Sequence, residues 1–182
     1  VDRSANMSWY EGATLLHHLE EVHISSDRNL VDTRFPVQYV IRPQTDEYHD
    51  YRGYAGTVRG GVMRPGDEVM VLPSGARTRV QKIVTFDGEL ELAHTPMAVT
   101  LTLADEVDCS RGDMLVRPDE LPLQGDEVEA MVVWMAEKPF VPGRSYLRKQ
   151  TTRVVPAELA LLHHAVDVNS LERRPASSLA MN

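Results

Sequence analysis

Two histidine pairs are the residues of this chain whose types suggest metal chemistry. His17 and His18 stand beside Glu20 and Glu21, and residues three or four apart share one face of a helix. Histidine and glutamate at that spacing can ligate zinc, but no second pair of ligands converges with them in the sequence, which favours a solvated helix face. His163-His164 lies in a weak strand pattern, where alternation opposes shared chelation. We therefore predict no metal ligand.

Cys109 is the only thiol, so no intrachain disulfide can form. A reactive cysteine needs a lowered pKa, whereas the neighbouring Asp105, Glu106 and Asp108 would raise the pKa of this thiol. A small apolar residue filling the interior is the better interpretation.

Two further motifs suggest binding functions, but each has a structural explanation. Arg111-Gly112-Asp113 matches an adhesion tripeptide, although three residues recur by chance and a polar turn before a strand explains them. Tyr48, Tyr51 and Tyr54, with Arg52 among them, have the types that stack on nucleobases. Packing at the mouth of a barrel or against a neighbouring domain is the favoured interpretation of these aromatic residues.

Nucleotide-binding motifs are missing from the sequence. It contains no Gly-x-x-x-x-Gly-Lys-[Ser/Thr] loop, the arrangement whose backbone amides and lysine hold phosphates. It also lacks an Asn-Lys-x-Asp segment that would recognise guanine. We predict no catalytic, cofactor-binding or metal-binding residue in these 182 residues.

Composition limits the function further. Hydrophobic residues make up 42% of the 182 residues, enough for the cores of one domain or two small ones. The formal net charge of -8 opposes autonomous binding to nucleic acid, which needs concentrated Lys and Arg. No segment resembles a signal peptide or an apolar bilayer span, and we predict a cytoplasmic location with no membrane and no nucleic-acid partner.

The hydrophobic pattern predicts one helix followed only by strands. Leu15, Leu16, Leu19 and Val22 recur at helical spacing, and no second helix follows for this apolar face to pack against. The predicted strands before the proline-rich link at 117–122 are Arg34–Ile41, Tyr54–Val62, Glu68–Leu72, Thr78–Val84, Met97–Leu103 and Met114–Arg117. Six short strands without intervening helices favour a small β-barrel over a layered α/β fold.

The link at 117–122 predicts a domain boundary, because it is charged and interrupted twice by proline. Beyond it, we predict a long strand at Glu127–Met135 and further strands at Ser145–Lys149, Thr151–Val155 and, less clearly, Leu159–Val168. Glycines at the strand bends, among them Gly56 and Gly112, are expected to need a positive φ, so valine there should disrupt the barrel.

Two segments together carry a resemblance to a known family. Gly56–Asp67 and Arg111–Asp113 are similar to the second-domain barrel of translation-factor GTPases. The closest likeness in that superfamily is to the large, GTP-hydrolysing subunits of bacterial sulfate adenylyltransferases. That likeness includes Arg34–Val40, Ile83–Gly88 and Val133–Glu137, in the same order along the chain.

The resemblance implies a mostly β fold of two small translation-factor-type β-barrels, the second incomplete, preceded by one helix. Residues 1–30 would be the last helix of a GTPase domain plus a linker, residues 31–118 the second-domain barrel, and residues 119–182 part of a third-domain barrel. GTP and Mg would be bound by a GTPase domain ahead of Val1, so none of their ligands is carried over to this chain. Arg59-Gly60-Gly61 and the stretch near His163 depart from the family pattern.

The implied function is the non-catalytic barrel portion of a subunit that hydrolyses GTP to drive ATP and sulfate toward adenylyl sulfate and pyrophosphate. Its implied partners are its own GTPase domain, the smaller catalytic subunit and, in some bacteria, a fused adenylyl-sulfate kinase. An alternative is a free-standing translation-factor-type module that binds RNA or the ribosome, and a third is a purely structural barrel of an unrelated assembly.

Overall fold

The computed structural model describes residues 5–22, 28–43 and 50–181, which form a mostly β structure. A short 3-10 helix at Ala5–Met7 and helix α1 at Leu15–Glu21 precede the strands. The strands are β1 (Arg34–Ile41), β2 (Gly53–Thr57), β3 (Val62–Met63), β4 (Glu68–Leu72), β5 (Arg77–Thr85), β6 (Gly88–Leu90), β7 (Ala93–His94), β8 (Ala98–Leu103), β9 (Met114–Val116), β10 (Ser145–Gln150), β11 (Arg153–Glu158), β12 (Ala165–Val166) and β13 (Arg173–Arg174). The predicted mostly β fold is confirmed.

Strands β1 to β9 build the first unit, which is a ring of antiparallel ladders. The main sheet has the order β4-β9-β1-β2-β8-β5-β6, and β4 also pairs with β5. Both β1 and β5 change partner along their length: β1 pairs with β9 and then β2, and β5 pairs with β4 and then β8. The ring is therefore made by two sheets that share these two strands, rather than by one regular barrel.

The register irregularities lie where the shared strands change partner. The β1–β2 ladder shifts between Val37 and Tyr39, and the β5–β8 ladder shifts between Val80 and Lys82. In β5, Thr78 and Val80 are buried at spacing two, but the next fully buried side chain is Ile83, three residues on. A bulge adds one residue and bends the strand, so that beyond it the other set of alternate side chains faces the core.

The hydrophobic core lies inside this ring. Its larger members are Phe35, Tyr54, Met63, Ile83, Leu101 and Leu115, all at most 1% exposed, with valines from β1, β4 and β5 between them. Burying one such side chain contributes about 1.5–3 kcal/mol. The ring is therefore the stable part of the chain.

Most strand predictions in this unit are confirmed. Strands β1 and β4 have the predicted bounds. The single strand predicted from Tyr54 to Val62 is instead two, β2 and β3, because the chain leaves the ladder after Thr57. The short strands β6 and β7 were not predicted.

Gly56 and Gly112 occupy different environments, which corrects one expectation. Gly112 has the expected positive φ of 100°. Gly56 does not: its conformation is that of an ordinary strand, and glycine is needed there because an added Cβ would lie 2.5 Å from the carbonyl oxygen of Pro36. Close approach of two backbones, not turn conformation, excludes a side chain from Gly56.

Helix α1 forms as the leucine spacing predicts, with Thr14 as its N-cap accepting a hydrogen bond from the amide of His17. Its apolar side chains are not covered: Leu15, Leu16 and Leu19 are all exposed. No helix in the described part of the chain is long and apolar enough to cross a membrane.

The segment 117–120 is attached to the ring by polar contacts. The amide of Thr33 donates to Glu120 Oε2 at 3.0 Å, and Arg34 Nη1 donates to the Glu120 carbonyl at 2.7 Å. Arg117 lies 3.6 Å from the Glu120 carboxylate. The division at residue 118 stays a prediction, although the link itself is held against β1.

The second unit contains strands β10 to β13, and none of its described hydrophobic side chains is fully buried. Strands β10 and β11 form a hairpin, β12 pairs with β13, and Phe140 bridges to Leu179. The strand predicted at Glu127–Met135 is wrong: that segment makes no ladder within the described chain, because it has no strand beside it to bond with. The predicted strand at Leu159–Val168 is reduced to the two residues of β12.

Candidate functional site

The two histidine pairs do not assemble a metal centre among the residues that the structure describes. His17 lies 3.2 Å from Glu21 on the solvent-facing side of α1, an exposed pair one helical turn apart. His163 lies 3.8 Å from Glu129 on the second unit. These are surface contacts, in agreement with the solvated interpretation.

Cys109 is confirmed as an interior residue. It is 1% exposed within the core cluster of the ring. Burial, followed by the charges of Asp113 and Asp108, raises the pKa of the thiol to about 12. The sequence correctly indicated Asp108, but burial is the larger cause and Asp113 replaces the other two expected neighbours.

We expect this thiol to give the fold a distinct alkaline sensitivity. The pKa of Cys109 is raised from 9.0 when unfolded to about 12 when folded, so its contribution is complete below pH 9 and is lost as the pH rises toward 12. Over that window, one thiol shifted in this way lowers the free energy of unfolding by about 1.4 kcal/mol per pH unit. The free energy of unfolding, measured in urea, should therefore fall between pH 8 and pH 10 by about 1.4 kcal/mol more in the native chain than in C109A. Equal losses in both proteins would contradict the prediction.

Of Tyr48, Tyr51 and Tyr54, the two that the structure describes pack against the ring, as the structural interpretation predicts. Tyr54 is 1% exposed, and its hydroxyl donates to the carbonyl of Val107 at 3.3 Å, so its ring is part of the core. Tyr51 is half-buried beside Gly53. Tyr48 lies outside the described residues. A stacking platform made of the three rings is excluded by the burial of Tyr54.

Arg111–Asp113 forms the predicted turn. Asp113 Oδ2 accepts from the amide of Ser110 at 2.8 Å, and the amide of Gly112 donates to the carbonyl of Val37 at 3.1 Å. This turn lies against the β10–β11 hairpin, since a Cβ added at Gly112 would be 3.5 Å from Cα of Arg153. The first and second units therefore meet at this turn.

A polar cleft of about 210 Å³ opens at that meeting point. It is lined by Pro36 and Gln38 of β1, Thr57 of β2, Arg59, Arg111, Lys149 of β10, and Thr151 and Thr152 of the hairpin turn. We call it the basic cleft. Sequence reasoning missed it, because its three cationic residues come from segments far apart in the chain and no spacing pattern joins them.

The cations of the basic cleft lack anionic partners in the part of the chain that is described. Five other Lys and Arg side chains there lie within 4.0 Å of a carboxylate: those of Arg34, Arg77, Lys82 and Arg117 on the first unit and its link, and that of Arg174 on the second. Arg59, Arg111 and Lys149 make no such contact with a described residue. Arg153, beside Gly112, adds a fourth cation at the edge.

Curated relatives match the whole chain. It is 52% identical over 182 residues to "Bifunctional enzyme CysN/CysC" of Rhodopirellula baltica, covering 100% of this chain and 28% of that protein. It is 50% identical to "Sulfate adenylyltransferase subunit 1" of Bacteroides fragilis, covering 100% of this chain and 37% of that protein. The chain thus spans about a third of the length of the curated relatives it matches.

Family and structural comparisons agree on the fold. Residues 127–182 match the family model described as GTP-eEF1A C-terminal domain-like. The structure is similar to Sup35 complexed with GDP, with a TM-score of 0.65, 17% identity and coverage of 95% of this chain and 42% of that one. The elongation factor SelB of Methanococcus maripaludis gives a TM-score of 0.61 at 18% identity, with coverage of 90% and 35%. These likenesses show a translation-factor fold.

Proposed function

This chain is homologous over its whole length to a part of sulfate adenylyltransferase subunit 1, and on that premise we propose that it is the non-catalytic barrel portion of such a subunit. The full-length protein would couple GTP hydrolysis to the formation of adenylyl sulfate and pyrophosphate from ATP and sulfate. The observation that carries the proposal is the identity of 50% to 52% along the entire chain.

The proposal divides the labour between this chain and the rest of the protein. The sequence has no phosphate-binding loop, so GTP and Mg would be bound by a separate GTPase domain. The ring would brace that domain, and the uncovered leucines of α1 would pack against it, since an amphipathic helix is stable when its apolar face is buried. Residues 119–182 would be part of a third-domain barrel.

We further propose a smaller catalytic subunit as the partner of the full-length protein, and the cytoplasm as its location. A fused adenylyl-sulfate kinase would follow the subunit in proteins organised like the bifunctional relative of Rhodopirellula baltica. No residue of this chain would contact nucleotide in such an assembly.

We expect the chain alone to bind neither GTP nor ATP, because it lacks the backbone amides and lysine that hold phosphates. Calorimetric titration with each nucleotide plus magnesium measures this directly. Micromolar binding of either nucleotide would contradict the proposal that a separate GTPase domain binds the nucleotide.

The positive test uses the full-length subunit, with a GTPase domain ahead of Val1, mixed with the catalytic subunit. Pyrophosphate release from ATP and sulfate should then be stimulated by GTP and should be absent when either component is left out. A parallel assay with structured RNA separates the alternative function. Turnover indifferent to GTP, together with tight, salt-sensitive RNA binding, would support a translation-type module instead.

A further inference from the structure

We propose that the basic cleft is a binding site for a small tetrahedral oxyanion, of the sulfate or phosphate class. The site is built by Arg59, Arg111 and Lys149, with the hydroxyl of Thr152 as an additional donor. This inference does not depend on the proposed function, because it rests on the cleft itself and needs no GTPase domain or catalytic subunit.

Charge is the first argument. The chain has 27 Asp and Glu against 19 Lys and Arg, so cations clustered without carboxylates run against its overall balance. Elsewhere on the described chain some exposed cations have an anionic neighbour, as Lys82 does in its 2.6 Å pair with Glu89. The three cations around the cleft repel one another, and an anion between them removes that repulsion.

An unsatisfied hydroxyl is the second argument. Three buried hydroxyl oxygens have no hydrogen-bond partner within the described chain, those of Thr33, Thr102 and Thr152, and of these residues Thr152 lines the cleft. Buried polar atoms are almost always hydrogen-bonded, so each exception calls for an explanation. An oxyanion in the cleft that Thr152 lines would accept its O–H.

Backbone strain is the third argument. Thr151, the first residue of the β10–β11 turn, has a φ of 52°, a conformation that β-branched residues rarely adopt and that glycine normally occupies in such hairpins. Strain of this kind clusters at functional sites, although Leu171 in the β12–β13 turn has a similar φ of 60°. At the β10–β11 turn the strained residue and the next one, Thr152, both line the cleft together with Arg111.

The size of the cleft selects the class of ligand. Its volume of about 210 Å³ is below the range of about 300–1,000 Å³ typical of sites for drug-sized molecules. A tetrahedral anion with a few waters fits such a space. Two guanidinium groups and an ammonium group supply charge-assisted hydrogen bonds in several directions, which suits four oxygens better than a planar carboxylate.

The test is titration of the 182-residue chain with sodium sulfate and with sodium phosphate, with ionic strength held constant by sodium chloride. Amide chemical shifts report the site. We expect saturable shifts confined to the neighbourhood of Gly112, Lys149 and Thr152. Chloride alone should not reproduce them.

Substitutions separate a built site from general attraction. R111Q and K149Q should each weaken binding about tenfold, the effect of losing one charge-assisted hydrogen bond. T152V should weaken it severalfold without changing the net charge. R64Q is the matched control: Arg64 is exposed and does not line the cleft, so this variant should bind as the native chain does.

The outcomes are distinct. Equal weakening by R111Q and R64Q would mean that only net charge matters and would overturn the site. Shifts spread over all basic residues, or no saturation with either anion, would overturn it as well. Adenosine monophosphate serves as a third ligand: affinity more than tenfold above that of phosphate would reject a free-ion site in favour of a nucleotide phosphate.

Discussion

Replacing Gly56 with alanine should remove a large share of the stability of the ring. The added Cβ would lie 2.5 Å from the carbonyl oxygen of Pro36 and 2.9 Å from Cζ of Phe35, both in strand β1. The phenyl ring is itself fully buried, and the carbonyl is backbone, so neither atom can move aside without opening the β1–β2 ladder. Changes that overpack a core and disrupt a ladder cost about 3 kcal/mol or more, a large share of the roughly 5–15 kcal/mol of a typical domain.

Urea unfolding followed by far-ultraviolet circular dichroism measures this loss. Tryptophan fluorescence is unsuitable, because Trp9 and Trp134 both lie outside the ring. Gly66→Ala is the matched control: Gly66 has a φ of 91°, but nothing lies within 4 Å of its added Cβ. That substitution should cost only about 1–2 kcal/mol, the price of a left-handed conformation for alanine. If G56A costs no more than G66A, close approach at Gly56 is not what determines its identity.

The comparison of these glycines shows what a sequence conveys about backbone. Gly66 follows Pro65 and Gly75 follows Ser74, so their turns and positive φ values are readable from local chemistry. Gly56 sits in an alternating strand pattern, and nothing local indicates which strand passes beside it. Its constraint comes from Pro36, twenty positions away, and needs the ladder to be known.

Most of the ring was predictable because its longer strands carry their own signals. Strand β4 alternates exposed and buried positions between a Pro-Gly turn and a Ser-Gly turn, and its bounds follow from these residues. Glu127–Met135 carries an equally strong apolar signal but forms no strand, since a β pattern is realised only when a partner supplies the ladder. The absence of nucleotide motifs was also readable, whereas the basic cleft was not, because Arg59, Arg111 and Lys149 meet only in three dimensions.

The first and second units should differ most in the rate at which their backbone amides exchange hydrogen. The buried hydrophobic side chains of the described chain all lie between Phe35 and Val116. Residues from 126 onward expose their apolar groups instead, among them Met131, Val133 and Leu147, each more than half exposed. Local opening costs little where few apolar contacts are broken, whereas opening the ring requires unfolding its core.

One cluster of aromatic rings stabilises the second unit locally. The rings of Trp134, Phe140 and Tyr146 pack with centroids 4.5 to 5.5 Å apart, and the Tyr146 hydroxyl accepts from the amide of Val141 at 2.8 Å. Aromatic pairs contribute about 0.5–1.5 kcal/mol each beyond burial, which is well below the stability of a complete core. These contacts should slow exchange around Phe140 and Tyr146 without making the unit as protected as the ring.

Hydrogen exchange of the native chain, measured on peptides by mass spectrometry, should therefore differ in rate between two antiparallel ladders. The β1–β2 ladder should exchange at least about a thousandfold more slowly than the β10–β11 ladder, the ratio expected when about 4 kcal/mol more is needed to open the first. Both ladders are antiparallel, but β1 and β2 also pair with β9 and β8, whereas β10 and β11 form a two-stranded sheet. The core beneath differs as well: Phe35, Val37 and Tyr54 are fully buried, while the hairpin has no buried side chain. Equal protection of both ladders would show that another surface completes the second unit, and with it that residues 119–182 do not form the partial barrel that we propose.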